Sequence, residues 1–310
     1  MKNSITSKAY GTFIFKDGGY LPGLLMVAYR LRKLGTNTKI ICCYTKDIPR
    51  SILDTLSYFY DELIEVDYLK VGRKRTGRQA PLPWMFTRFR LLGLNNIEKL
   101  IILDADMLPI NSFDPIFELN SPAGVINESK DRVVGSLKTL AKLKSWEWHE
   151  HYGLIAPPRS VIPSYITDRP LFEPGNKMGI NGGLMMLSPS TKALDDFLDW
   201  CSDNQDIINK MSWPDMQSIT AYYSGKWTNV DARYLGLHAY PNIKSLDGIH
   251  FVGPKPWQWK SKGFEYRINK YPDYKLWAKE FLNMCEENKD LLKLKPLKKI
   301  FDEFNNVLKH

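Results

Sequence analysis

Leu100-Ile101-Ile102-Leu103-Asp104-Ala105-Asp106 is the stretch that decides the fold. Four apolar residues in succession suit a strand buried on both faces, the pattern of a parallel sheet covered by helices. Two aspartates then leave that strand with one small residue between them. Carboxylates so placed surround a single point, and a hard divalent cation needs oxygen ligands of this kind. The plain alternative is an aspartate pair that caps a helix or shapes a turn.

Upstream of this stretch, strand and helix patterns alternate. Residues 9–15 read as a strand. Residues 21–34 read as a helix, with Pro22 in its first turn and Gly35 at its end. Strands follow at 39–44 and 63–66, with helices at 51–60 and 84–94 behind Pro49 and Pro83. This alternation predicts an α/β fold, Rossmann-like, with a mostly parallel central sheet and helices on both faces. Such sheets bind ligands at the carboxyl ends of their strands, where Asp104 and Asp106 stand.

Downstream, residues 127–177 break the alternation. They are rich in Pro, charge and aromatics, include a candidate helix around 134–151, and read as an inserted loop or lid. His149 and His151 fall there; two residues apart on a helix, they point away from each other and read as surface histidines. The pattern resumes with a strand at 183–187, helices at 190–202 and 215–223, and a short strand at 248–251. Ser190 is a candidate N-cap. Leu291, Leu294, Leu297, Phe301, Phe304 and Leu308 repeat at helical spacing, so the end of the chain reads as amphipathic helix packed on the rest. The expected division is one domain over 1–260, with the insertion at about 127–177, and a helical extension over 261–310.

The chain has 310 residues, 44% hydrophobic and 25% charged, the balance of a globular enzyme. Nine Trp and sixteen Tyr offer apolar faces with polar edges, which suit sugars and nucleobases as well as a core. The net charge of +9 favours anionic partners. The densest basic cluster, Arg73-Lys74-Arg75 with Arg78, is short, so nucleic acid is not expected as a partner. Cys42, Cys43, Cys201 and Cys285 show no metal-ligand spacing and read as reduced thiols. The start of the chain lacks the apolar core of a signal peptide, and no stretch has the length of a membrane span. The expectation is a cytoplasmic protein.

A second constellation lies late in the chain: His250-Phe251-Val252-Gly253-Pro254-Lys255-Pro256-Trp257. His250 offers a nitrogen ligand. Gly253 permits close backbone approach to a phosphate. Lys255 supplies a point charge for a diphosphate. A lone histidine is more often structural, but His, Gly and Lys compressed into one loop carry a stronger signal.

With both motifs in place, the chain resembles glycosyltransferase family 8, nearest its glycogenin-like branch. That branch pairs a DxD at a strand end with a late HxxGxxKPW loop. Asn181-Gly182-Gly183 with the following strand, Trp213-Pro214-Asp215-Met216-Gln217-Ser218, Tyr20 with Gly23, and Phe86-Thr87-Arg88-Phe89-Arg90 match its further segments. The resemblance covers roughly residues 9–257. It implies a GT-A fold, a UDP-sugar donor (UDP-glucose first, UDP-galactose next), Mn²⁺ with Mg²⁺ as substitute, and transfer with retention. It implies Asp104, Asp106 and His250 as metal ligands. Gly253 and Lys255 would hold the diphosphate, with Ala105 beside the nucleotide and Phe13, Ile14, Phe15 and Tyr20 lining the uridine. Arg88, Asn181, Asp215 and Gln217 would surround the sugar. A retaining transfer develops positive character on the sugar, which Asp215 or Gln217 would stabilise, and negative charge on the leaving phosphate.

The chain departs from the family in three places. Met216 precedes Gln217 where the family has Asp, Arg88 stands where it has Lys, and the 127–177 segment is longer. The acceptor is therefore not inherited from the resemblance, whether sugar or protein. Members of that branch are often dimers, so a homodimer is compatible with it. Two other readings fit parts of the sequence: a nucleotide-sugar binder whose catalysis has decayed, and a DxD phosphatase of the haloacid dehalogenase kind. The phosphatase class places its aspartates after the first strand of the core, whereas here three strand-helix units come first.

Overall fold

The computed structural model describes residues 6–16, 18–127, 155–175, 179–258 and 264–309. Among these, the first four long strands carry the parallel half of a seven-stranded sheet. They are β1 (Thr6–Ile14), β2 (Lys39–Tyr44), β3 (Glu62–Glu65) and β4 (Ile97–Leu103). Ile101 to Leu103 are fully buried, as an apolar run without alternation requires. The sheet runs β3-β2-β1-β4-β7-β6-β8. β7 (Gly179–Leu187) lies antiparallel to β4 and to β6 (Ala123–Asn127), while β6 pairs in parallel with β8 (Thr228–Asn229).

Strand order turns between β1 and β4: β2 and β3 lie on one side of β1, β4 on the other. The loops leaving β1 and β4 must therefore diverge, which opens a crevice at their carboxyl ends. Asp104 and Asp106 follow β4 into that crevice and lead to β5 (Met107–Pro109). β5 belongs to a second sheet of three short strands. Its partner β10 (Gly248–His250) pairs antiparallel with it and parallel with β9 (Gly236–Leu237). The register sets His250 against Met107, the residue that follows Asp106. The pair it sets together, His250 and Met107, is 143 positions apart in sequence and joined by one β-ladder.

Most expected elements are present with shifted ends. Helix α1 (Leu21–Lys33) has Pro22 in its first turn, and α2 (Arg50–Leu56) is shorter than the sequence predicts. Ser190 caps α3 (Thr191–Asp203) by accepting the Ala193 amide at 3.0 Å, and α4 (Pro214–Tyr222) begins just before Asp215. The 84–94 segment is not an α-helix: residues Leu82–Gly93 wind as tighter 3₁₀ turns. β7 is nine residues long and wholly buried, beyond the expected 183–187. β5, β6, β8 and β9 were not expected; they are too short to show a period. Of the 127–177 segment, residues 155–175 are described and include helical turns at Ser164–Thr167 and Arg169–Phe172. The expected helix around 134–151, with His149 and His151, lies outside the described residues.

After the second sheet come α5 (Phe264–Lys270), α6 (Pro272–Glu287) and α7 (Lys295–Lys309). α6 lies beside α1: Arg30 pairs with Glu280 at 2.6 Å, and Tyr29 donates to Glu287 at 3.1 Å. Between α6 and α7, Trp277, Phe281 and Phe304 form one buried aromatic cluster with centroids 5.2–5.8 Å apart. These residues share a hydrophobic cluster with Leu24, Leu25 and Tyr29 of α1. No described helix is long and apolar enough to cross a membrane. All four cysteines are free and buried.

Phe281→Ala is expected to lower unfolding stability by about 3–5 kcal/mol, the usual cost of removing a buried aromatic. Urea unfolding should show that loss in a transition shared with the sheet. A loss under 1 kcal/mol would mean that α6 and α7 do not belong to the main core.

Candidate active site

The segments around Arg88, Asp104, Gly182, Asp215 and His250 come together beyond the carboxyl end of β4. Asp104, Asp106 and His250 each offer a ligand atom, and these atoms lie within 4.8 Å of one another. Three backbone hydrogen bonds hold the two aspartates. The Asp104 amide donates to the Gly183 carbonyl at 3.1 Å, Met107 donates back to Asp104 at 3.1 Å, and Phe251 donates to Asp106 at 3.0 Å. His250 Nε2 stands 3.3 Å from Asp106 Oδ1. Its Nδ1 is buried with no hydrogen-bond partner among the described residues. Two carboxylates and one imidazole suit a divalent cation such as Mn²⁺ or Mg²⁺ rather than a thiolate-loving metal.

The two aspartates sit in opposite electrostatic settings. Burial pushes the Asp104 carboxyl up, and the adjacent Asp106 adds to the shift while Arg88 opposes it. Burial also acts upward on Asp106, but His250 and Lys255 together outweigh it and hold that carboxyl well below the usual range. Lys255 Nζ lies 2.5 Å from Asp106 Oδ2 and donates to the Phe251 carbonyl at 2.9 Å. Lys255 therefore reaches the same carboxylate as His250. Gly253, two residues before it, has φ +91°, where a side chain would be strained.

Arg88 joins this end of the site to α4. Its guanidinium is buried, contacts Asp104 Oδ1 at 2.7 Å, stands 3.6 Å from Asp215 Oδ2, and donates to the Gly182 carbonyl at 2.5 Å. One face covers the Phe13 ring, with Cζ 5.1 Å from the centroid. Burial raises the Asp215 carboxyl, with Arg88 pulling the other way. Asn181, just before Gly182 on β7, accepts the Gly183 amide at 2.8 Å and so shapes the strand at the point where it meets Asp104. Met216 Sδ accepts the Gly182 amide at 3.0 Å.

Gln217 is placed differently from the sequence expectation. It is fully buried, accepts the Trp213 amide at 2.7 Å and donates to the Pro174 carbonyl at 2.6 Å. Its amide thus ties the start of α4 to the 172–175 segment. Asp215 is the α4 residue that reaches Arg88.

Along β1 the strand period separates the expected base-binding residues. Phe13 and Phe15 share a face, with rings 6.0 Å apart and nearly parallel, and Tyr68 meets Phe15 edge-on at 6.2 Å. Ile14 points the opposite way, 3% exposed in the main core, so its side chain does not line the crevice. Tyr20 is 47% exposed and meets Trp257 edge-on at 5.7 Å. Gly23 explains how α1 comes so close. A Cβ there would fall 2.1 Å from the Ala105 carbonyl and 2.5 Å from the Trp257 ring. Trp257 donates to the Gly19 carbonyl at 3.1 Å, closing the loop of Lys255 onto the start of α1.

Sequence reasoning missed the groups that hold the 250–257 loop from behind, His238 and Tyr274. They lie in no motif, and no sequence pattern singles them out.

No protein-family model matches the chain. In sequence it is similar to an uncharacterized protein of Acanthamoeba polyphaga mimivirus, 27% identical over 265 residues, which is 82% of this chain and 83% of that protein. It is also similar to glycogenin of Neurospora crassa, 28% identical over 114 residues, which is 36% of this chain but only 16% of that protein. In three dimensions it is similar to the galactosyltransferase LgtC solved with donor and acceptor sugar analogs. That match has a TM-score of 0.54 at 12% identity and covers 87% of this chain and 94% of the other. The architecture is thus the GT-A fold. The relatives and structural neighbours support a glycosyltransferase, with the glycogenin resemblance confined to part of the chain.

Removing Arg88 would take the cation from the buried Asp215 and from the part-exposed Asp104. Arg88→Met is expected to cost about 3–5 kcal/mol at pH 7, the range for breaking a buried ion pair. Asp104 and Asp215 have folded-state values raised above their unfolded ones. Their ionised burial therefore costs stability at neutral pH, and that cost is relieved as pH falls through the folded values. The gap between wild type and Arg88→Met should narrow between pH 7 and pH 5.5 in urea titrations. An equal gap at both pH values would contradict this assignment.

Proposed function

We propose that this glycogenin-like chain transfers a hexose from a UDP-sugar, glucose first and galactose next, to an acceptor with retention of configuration. The observation that carries the reading is the meeting of Asp104, Asp106, His250 and the Lys255 loop at the strand-order switch of a GT-A sheet. Carboxylates, imidazole, an ammonium and a flexible glycine amide in one crevice form a set matched to a nucleoside diphosphate and its cation.

Asp104, Asp106 and His250 would hold Mn²⁺, with Mg²⁺ as substitute. Bound there, the cation would neutralise charge on the departing diphosphate. Lys255 lies close enough to the same carboxylate to share that anion, as a point charge that needs no fixed geometry. Gly253 leaves space for a phosphate oxygen against the backbone. Phe13, Phe15 and Tyr20 frame the uridine, and Ala105 contributes backbone rather than side chain. Arg88 fixes Asp104 relative to Asp215, so that metal and sugar ends keep a constant spacing. Asp215 is the carboxylate proposed to face developing positive charge on the sugar, Asn181 borders the same space, and Gln217 positions α4. The four free thiols suit a reducing compartment, which favours a cytoplasmic setting.

The test is UDP release from UDP-glucose and UDP-galactose with Mn²⁺, with and without EDTA. Release should require the metal and fall about 10²–10³-fold in Asp106→Asn, the scale for loss of a preorganised electrostatic element. Mass spectrometry of the same samples reports whether the chain glycosylates itself. UDP binding without release from either donor would favour a binder that has lost catalysis, and release indifferent to EDTA would contradict the metal assignment.

A further inference from the structure

The 250–257 loop has exposed residues at Val252, Gly253 and Pro254, yet its work requires Lys255 to be aimed. Its two ends are well held: β10 fixes His250, and Trp257 is buried against Trp277 with centroids 5.6 Å apart. The middle, between Gly253 and Lys255, has no strand partner. Two side chains reach it: Gln258 accepts the Lys255 amide with its Oε1 at 3.1 Å, and Tyr274 holds the carbonyl of the same peptide. Tyr274, on the first turn of α6, donates its hydroxyl to the Pro254 carbonyl at 2.6 Å.

Tyr274 is itself locked. Its ring meets Phe251 edge-on at 5.3 Å and His238 at 4.7 Å. His238 Nδ1 lies 2.8 Å from Asp273 Oδ2, and the same oxygen accepts the Ala239 amide at 2.7 Å. The other Asp273 oxygen accepts the Tyr274 amide at 2.8 Å. Asp273 is 1% exposed, so these bonds are made in a water-poor setting where they hold geometry firmly. His238 also donates its backbone amide to the His250 carbonyl at 3.2 Å. The carbonyl held by Tyr274 belongs to the peptide bond that leads directly into Lys255. Burial pushes the Tyr274 hydroxyl up to about 12, so it is a donor throughout the neutral range.

We infer that Tyr274 is a positioning residue for the diphosphate loop. Braced by His238 and Asp273, it fixes the 254–255 peptide and thereby aims the Lys255 ammonium at the anion bound in the crevice. The first turn of α6, which lies outside both sheets, is then a working part of the site. The inference rests on the proposed reading that Lys255 holds a nucleoside diphosphate.

The test is calorimetric binding of UDP in the presence of Mn²⁺ to four forms of the full chain: wild type, Tyr274→Phe, Lys255→Ala and the double variant. Tyr274→Phe removes one oxygen and keeps the ring packing. Loss of that hydrogen bond should weaken UDP binding about five- to tenfold in the wild-type background. In the Lys255→Ala background the same change should have little effect, because the group it aims is gone. Tyr274→Phe binding UDP as wild type does, whatever its thermal midpoint, would overturn the inference. So would an equal loss in both backgrounds, which would mean that Tyr274 acts through something other than Lys255. Wild type that fails to bind UDP, or Lys255→Ala that binds it as tightly as wild type, would instead overturn the diphosphate reading and the inference with it.

Discussion

The buried guanidinium of Arg88 is the constraint on which the site depends. It lies between Asp104, the first carboxylate after β4, and Asp215, the acidic residue in the first turn of α4. Burial pushes both carboxyls up, and the guanidinium between them opposes that shift. Arginine suits the task better than lysine: its planar fork reaches both acids and the Gly182 carbonyl while one face stacks on Phe13. The strand-order switch brings the elements to one place, and this shared cation fixes their spacing.

The 250–257 loop is the second partner. β10 joins it to the DxD segment through the ladder with β5, and α6 holds it through the Tyr274 hydroxyl on the Pro254 carbonyl. Asp106 is held ionised by His250 and Lys255, while Asp104 is pushed toward neutrality. The two acids of one motif are thus electrostatically distinct, a difference set by neighbours that come from opposite ends of the chain.

Much of this was legible in the sequence. The apolar run before Asp104 announced a doubly buried strand, and the strand-helix alternation announced a largely parallel sheet. Compression of His250, Gly253 and Lys255 into one loop stood out in the sequence, and the structure sets His250 and Lys255 against the same Asp106 carboxylate. What was not legible has physical reasons. Ile14 lies between two crevice-facing phenylalanines, and only the strand period turns it inward. Gln217 looks like a sugar ligand in a motif, but the short loop before α4 uses its amide for backbone bonds. The 82–93 turns look helical by spacing, and that spacing does not separate α from 3₁₀ winding. Tyr274 and His238 sit in no motif, since their role comes from tertiary packing across the second sheet.

The central claim is that Asp104, Asp106 and His250 hold one divalent cation at the strand-order switch. The most direct measurement is anomalous scattering at the manganese edge from crystals grown with Mn²⁺ and UDP. The account predicts a single peak within coordination distance of all three side chains, contacting the diphosphate. A peak elsewhere, or UDP bound in the crevice with no metal among these residues, would contradict it.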